Sequence, residues 1–127
     1  MKYILGTALA AAIALSAPTV ASASVSGKWC YSSDKCPVSF SFVSAGEHVT
    51  VKDELKDGHS AVLKIWAGGV AKPALWASLG VGTDATRNMA VDDGNYMKFQ
   101  MCTGEWNDDP AKRRIVDCQD KYFYSAS

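Results

Sequence analysis

The sequence is short of the side chains from which most enzymes and metal sites are built. It holds two histidines, His48 and His59, and no CxxC pair, so a zinc site would lack donors at the usual spacing. Neither a GxSxG elbow nor an HExxH helix occurs, which removes the commonest signatures of a nucleophilic serine and of a catalytic metal. No phosphate-cradling glycine loop and no acceptor sequon for N-glycosylation is present. Charge of one sign is also missing: thirteen Lys plus Arg stand against thirteen Asp plus Glu. A nucleic-acid binder would show a basic surplus or stripe, and a cationic membrane-active peptide would show the same. The sequence therefore implies no cofactor, no metal and no nucleic-acid partner.

What is present begins with an export signal. Met1-Lys2-Tyr3 is a short cationic start, residues 4–15 are apolar, and Ala21-Ser22-Ala23 offers small residues in the spacing a signal peptidase cuts. The apolar stretch is too short to span a bilayer. Residues 1–23 are expected to be a signal peptide and residues 24–127 a single secreted domain with no membrane span. Without Lys2 the thirteen basic residues become twelve, against thirteen acidic ones, so that domain is close to neutral.

Four cysteines follow the leader: Cys30, Cys36, Cys102 and Cys118. An even number in a small exported chain implies two disulfides, with three pairings available. Local geometry favours Cys30–Cys36 and Cys102–Cys118. If Cys102 and Cys118 oppose each other on a hairpin, Gly104 faces Val116, Trp106 faces Arg114, and the turn centres on Pro110. Directly opposed strand residues approach closely enough for such a bond.

Alternation with a period of two recurs along the chain and no segment after the leader sustains a helical period. Val38, Phe40 and Phe42 alternate with serines; residues 48–53, 60–66, 75–81, 96–105, 114–119 and 121–124 also read as strands. Lys56-Asp57-Gly58 and Asp93-Gly94 read as turns. The expected fold is all-β: an antiparallel sandwich of seven or eight short strands, with an immunoglobulin-like order as one form of it. For the hairpin around 68–73, the register in which Ile65 faces Ala77 and Leu63 faces Leu79 also sets Trp66 opposite Trp76. That pair is either a structural contact covered by neighbouring chain or an exposed anchor for a protein or a sugar.

Other polar groups read as turn chemistry. His59 follows Asp57-Gly58, and Asp92-Asp93-Gly94-Asn95 lacks the spacing and terminal Glu of a calcium loop. A hydrolase would need His59 and a carboxylate in one pocket. The segment 106–114 carries Lys112 and Arg113 on a disulfide-closed loop, a shape suited to a trypsin-like protease.

Two stretches, Lys52-Asp53-Glu54-Leu55-Lys56-Asp57-Gly58-His59-Ser60-Ala61 and Cys102-Thr103-Gly104-Glu105-Trp106, resemble small secreted actinobacterial proteins with a K-D-x-x-x-D-G-H-S-A motif. Some of these look like the adaptor subunit of umbrella toxin particles. The resemblance implies a bridge between a repeat-bearing toxin polypeptide and a lectin subunit. The expected function is thus a non-enzymatic module that binds another secreted protein, with Trp66, Trp76, Trp106, Lys112 and Arg113 as partner-binding residues. The alternative is an inhibitor of a trypsin-like protease acting through 106–114.

Overall fold

The computed structural model describes residues 24–89 and 95–126. The expected leader and the Asp93-Gly94 turn lie outside them. Nine strands occur among the described residues: β1 (Ser24–Trp29), β2 (Val38–Val43), β3 (His48–Asp53), β4 (Ser60–Ala67), β5 (Val70–Ala77), β6 (Asp84–Asn88), β7 (Tyr96–Glu105), β8 (Arg114–Cys118) and β9 (Phe123–Ala126). They form two antiparallel sheets, one of order β1-β2-β3-β6 and one of order β5-β4-β7-β8, with β9 also paired to β7. Both favoured disulfides, Cys30–Cys36 and Cys102–Cys118, are formed.

Alternation decides which side chains meet between the sheets. Val38, Phe40 and Phe42 of β2 and Val49 and Val51 of β3 are buried against Leu63 and Ile65 of β4 and Met97, Phe99 and Met101 of β7. Phe99 lies with its ring 5.2 Å from both Phe40 and Phe42, and Phe123 of β9 sits 5.2 Å from Phe40. Each such ring contributes roughly 1.5–3 kcal/mol of transfer free energy, so this one core accounts for the sandwich.

The strand order corrects the immunoglobulin expectation. In that order the third strand belongs to the sheet opposite the second. Here the 44–47 turn holds β3 beside β2, with Val38 opposite Asp53 and Val43 opposite His48. The chain first crosses between sheets at 54–59.

The β4–β5 hairpin corrects a second expectation. Gly68 and Gly69 both adopt positive φ, 59° and 82°, the conformation of a two-residue type I′ turn. The turn therefore closes on two residues instead of six, and β5 starts at Val70. Trp66 then faces Ala71, while Trp76 faces Val62; the expected Trp66–Trp76 pair does not form. The strand expected over 75–81 ends at Ala77: Leu79, expected opposite Leu63, and Val81 are 84 % and 48 % exposed beside a turn where Thr83 donates to the Gly80 carbonyl.

Pro73 falls within the segment expected as the hairpin loop, yet it sits inside β5, an edge strand. The pairing slips there by one residue, so that Leu63 faces Leu75 but Ile65 faces Lys72. A bulge is where a residue lacking an N–H can be accommodated. The carbonyls of Pro73 and Ala74 both accept from the guanidinium of Arg87 on β6, which ties the open edge of one sheet to the other. Burial lowers the Arg87 pKa from its ordinary value, and the two carbonyl acceptors favour its charged form.

Candidate functional site

The outer face of the five-stranded sheet carries nearly all of the aromatic side chains that the core does not use. It divides into two halves, each built on one of the displaced tryptophans.

The half around Trp76 is closed. Val62 pairs with Trp76 on one side and with Cys102 on the other, and Cys102 is bonded to Cys118 of β8. The Trp76 ring extends over Gly104, where an added Cβ would lie 2.7 Å from the ring and 2.8 Å from the Arg114 carbonyl. Trp106 packs edge-on against Trp76 at 5.8 Å, and the Arg113 guanidinium lies 3.7 Å from the Trp106 ring centre. Arg113 Nε also donates to the Asn107 carbonyl at 2.8 Å, and Trp106 Nε1 donates to Asp108 at 3.1 Å. Under this lid Val62 and Cys102 are 0 % exposed although they point away from the main core.

The loop itself turns through a short 3-10 helix, Pro110–Lys112, capped by the Asp109 carboxylate on the Ala111 N–H. Lys112 is exposed in that turn, whereas Arg113 is held on Trp106. The register differs slightly from expectation, since a shift after Thr103 sets Gly104 against Ile115 and Glu105 against Arg114. That displacement removes Trp106 from the ladder and leaves it to fold back on Trp76; the Glu105 and Arg114 side chains form an ion pair at 2.7 Å.

The half around Trp66 is open. Strand registers place Trp66 of β4 beside Lys98 of β7, and Lys98 beside Tyr124 of β9, so the three form one row across the sheet. β8 and β9 share an edge of β7, and the residues between them leave the ladder. Within that excursion Tyr122 reaches across the face to lie 6.0 Å from the Trp66 ring. Lys98 Nζ sits 4.6 Å from the Trp66 ring centre and 4.4 Å from that of Tyr122. A cavity of about 590 Å³ opens here, lined by Trp66, Tyr96, Lys98 and Tyr124 with Asn95 and the Gly68-Gly69 turn at its end. Tyr96 is 73 % and Tyr124 59 % exposed.

Of the residues singled out from sequence, Trp76, Trp106 and Arg113 are thus brought together, Lys112 is nearby, and Trp66 belongs to a separate cluster. Lys98, Tyr96, Tyr122 and Tyr124 were not singled out. The signal was available: Tyr96 and Lys98 alternate with the inward Met97 and Phe99, so whatever they touch lies on the other face.

A third feature is a depression lined by Asp53, Asp57, His59, Ser60 and Ser78, which does join His59 to carboxylates. Its groups are engaged in holding turns. Asp57 accepts the His59 backbone N–H at 3.0 Å and Asp53 accepts that of Leu55 at 3.4 Å. Burial raises the Asp53 carboxyl above its ordinary value of 3.8, against the lowering effect of the Leu55 N–H. Among the described residues His59 Nδ1 is buried without a hydrogen-bond partner, so no carboxylate orients the ring through that nitrogen. Among the described residues no group of three or more His, Cys, Asp or Glu is arranged to hold a metal, and no helix is long and apolar enough to cross a membrane.

The two motif-bearing stretches are neighbours, since Ser60 faces Gly104 and Ala61 faces Thr103. They lie at the end of the β4–β7 ladder away from the open cavity. Comparison with known protein families, curated proteins and solved structures found no match.

Proposed function

We propose that this protein is a secreted, non-catalytic recognition module, and that it binds another secreted protein through the outer face of the five-stranded sheet. The observation that carries this reading is the open row Trp66–Lys98–Tyr124 with Tyr96 beside it. Exposed aromatic rings around a cation are costly to leave in water and are what binding sites concentrate. The His59 depression lacks an oriented base, which favours recognition over chemistry. The adaptor role between a repeat-bearing toxin polypeptide and a lectin subunit is the finer form of the proposal, and it rests on the resemblance of the 52–61 and 102–106 stretches.

Affinity capture from culture supernatant tests the reading. The wild-type protein is expected to retain a partner that Trp66→Ala and Tyr96→Ala both lose. Recovery of the free monomer alone, or capture indifferent to both substitutions, would overturn it.

Inhibition of a trypsin-like protease is the second reading, favoured by the exposure of Lys112 on a loop anchored by Cys102–Cys118. It predicts that Lys112→Ala abolishes inhibition of such an enzyme while Arg113→Ala, whose side chain is held on Trp106, changes it less. Absence of inhibition at micromolar protein ends it.

A further inference from the structure

The chemistry of the open half narrows the ligand, and this step rests on the recognition reading just given. Three observations bear on it. The first is the set of ring faces. Trp66, Tyr96 and Tyr124 line one cavity, and residues opposed or two apart on one sheet face stand about 5–7 Å from each other, the scale of a single pyranose ring. The second is the cation. Among the described residues Lys98 has no carboxylate within ion-pair distance, and its ammonium is steadied by two rings that satisfy none of its three N–H donors. The third is the backbone. The cavity lies over the face of β4 and β7, whose main-chain groups pair on both sides at this level, while β9 pairs on one side only. An extended peptide adds to an exposed edge through its main chain, and over the face of β4 and β7 it would find no backbone partners. A nucleic-acid strand also stacks on aromatic rings, but it requires a basic groove along its phosphates, and this site offers one lysine.

We propose that the cavity binds an acidic sugar, a uronic acid unit of a glycan that the secreted partner carries. Its flat C–H face stacks on the tyrosine and tryptophan rings, and its carboxylate accepts from Lys98 Nζ. One carboxylate per ring matches one cation. The ring faces supply apolar contact that water does not replace, and the charge-assisted hydrogen bond supplies selectivity for acid over neutral sugar.

Tryptophan fluorescence and calorimetry on the disulfide-bonded protein test this with uronate tetrasaccharides (galacturonate, glucuronate-containing and mannuronate), their methyl esters, and tetraglutamate. At least one uronate is expected to bind, its methyl ester about tenfold more weakly, and tetraglutamate not measurably, the tenfold reflecting one lost hydrogen bond to a charged group. Lys98→Met should reproduce the loss for the acid and leave the ester unchanged. Tyr96→Ala, at a position 73 % exposed and so without risk to folding, should weaken acid and ester alike. Equal binding of acid and ester, equal binding of tetraglutamate, or no uronate bound at all would overturn the proposal. If a protein partner is still captured through Trp66 while no uronate binds, this inference fails and the recognition reading stands; if neither binds, both fail.

Discussion

The two halves of the outer sheet face are built from the same parts and reach opposite ends. Each has a tryptophan, a second aromatic ring and a cation lying over a ring: Trp76, Trp106 and Arg113 in one, Trp66, Tyr122 and Lys98 in the other. The difference is what else the cation does. Arg113 stacks and also donates to the Asn107 carbonyl, so its side chain closes a loop and the cluster beneath becomes a second, small core. Lys98 stacks without a hydrogen-bond partner among the described residues, so its donors remain for a ligand. An aromatic–cation cluster on a surface is therefore no evidence of a binding site until its donors have been accounted for.

If the closed half is structural, its covalent tie should matter most. Replacing Cys102 and Cys118 together by serine is expected to cost about 3 kcal/mol, the chain-entropy value for a ring of this size, measured by urea denaturation of the oxidised protein. The same change at Cys30 and Cys36, where Cys30 is exposed, should cost less, about 2 kcal/mol for the smaller ring. A reversed order would break the assignment of Trp76, Trp106 and the bridge to one structural unit. Trp76→Ala should follow at roughly 2–3 kcal/mol, because it uncovers Val62 and Cys102, whereas Trp66→Ala should cost about 1 kcal/mol and chiefly affect binding. Gly104→Ala should destabilise by about 1–3 kcal/mol through overpacking, because the new methyl group would meet the Trp76 ring on one side and the Arg114 carbonyl on the other. Its effect should vanish in a Trp76→Ala background only to the extent that the backbone contact can relax.

Much of this division is hidden in the sequence for definite reasons. The core was legible, because β2 and β3 alternate strictly and β4 and β7 carry large apolar residues, Leu63, Ile65, Met97, Phe99 and Met101, at every second position of one face. Both disulfides were legible from spacing. β1 and β6 were not: each is an edge strand, β6 offers the core only the half-buried Ala85, and β1 offers Val25 and Trp29 with Gly27 between them, too sparse an apolar pattern to read. The β4–β5 register is not legible because residues 68–73 read as a six-residue loop, while two glycines able to take positive φ permit a two-residue turn. That shift, four positions at Trp76 and five at Trp66, separated the two tryptophans and so decided which would be covered. The Tyr122 contact depends on the break between β8 and β9, a tertiary event with no local signal.

The buried Asp53 gives a comparison outside both halves. Its carboxyl is raised above 3.8 by burial, so the folded state holds this proton more tightly than the unfolded chain. The stability it allows is complete below 3.8 and falls as pH rises through the raised folded value. Asp53→Asn should remove this fall, making the variant relatively more stable at neutral pH than at pH about 3. A wild-type stability that increases across that window by the same amount in both proteins would show that Asp53 does not titrate as its burial requires.

The smallest expected effect separates the halves most directly. Arg113→Met retains an apolar side chain over Trp106 but loses the cation–π contact and the bond to the Asn107 carbonyl, and should cost about 1 kcal/mol. Lys98→Met, on the open half, loses only its cation–π contacts with Trp66 and Tyr122 and gains apolar contact with both rings, so its stability should stay within about 0.5 kcal/mol of wild type. Both can be read from the same denaturation series. Equal losses would mean that Lys98 is as structural as Arg113 and that the open half is closed in solution by something these contacts do not reveal. A loss at Arg113 alone would place the structural role of the cation in its hydrogen bond, because both lysine and arginine stack on tryptophan and only the arginine is anchored.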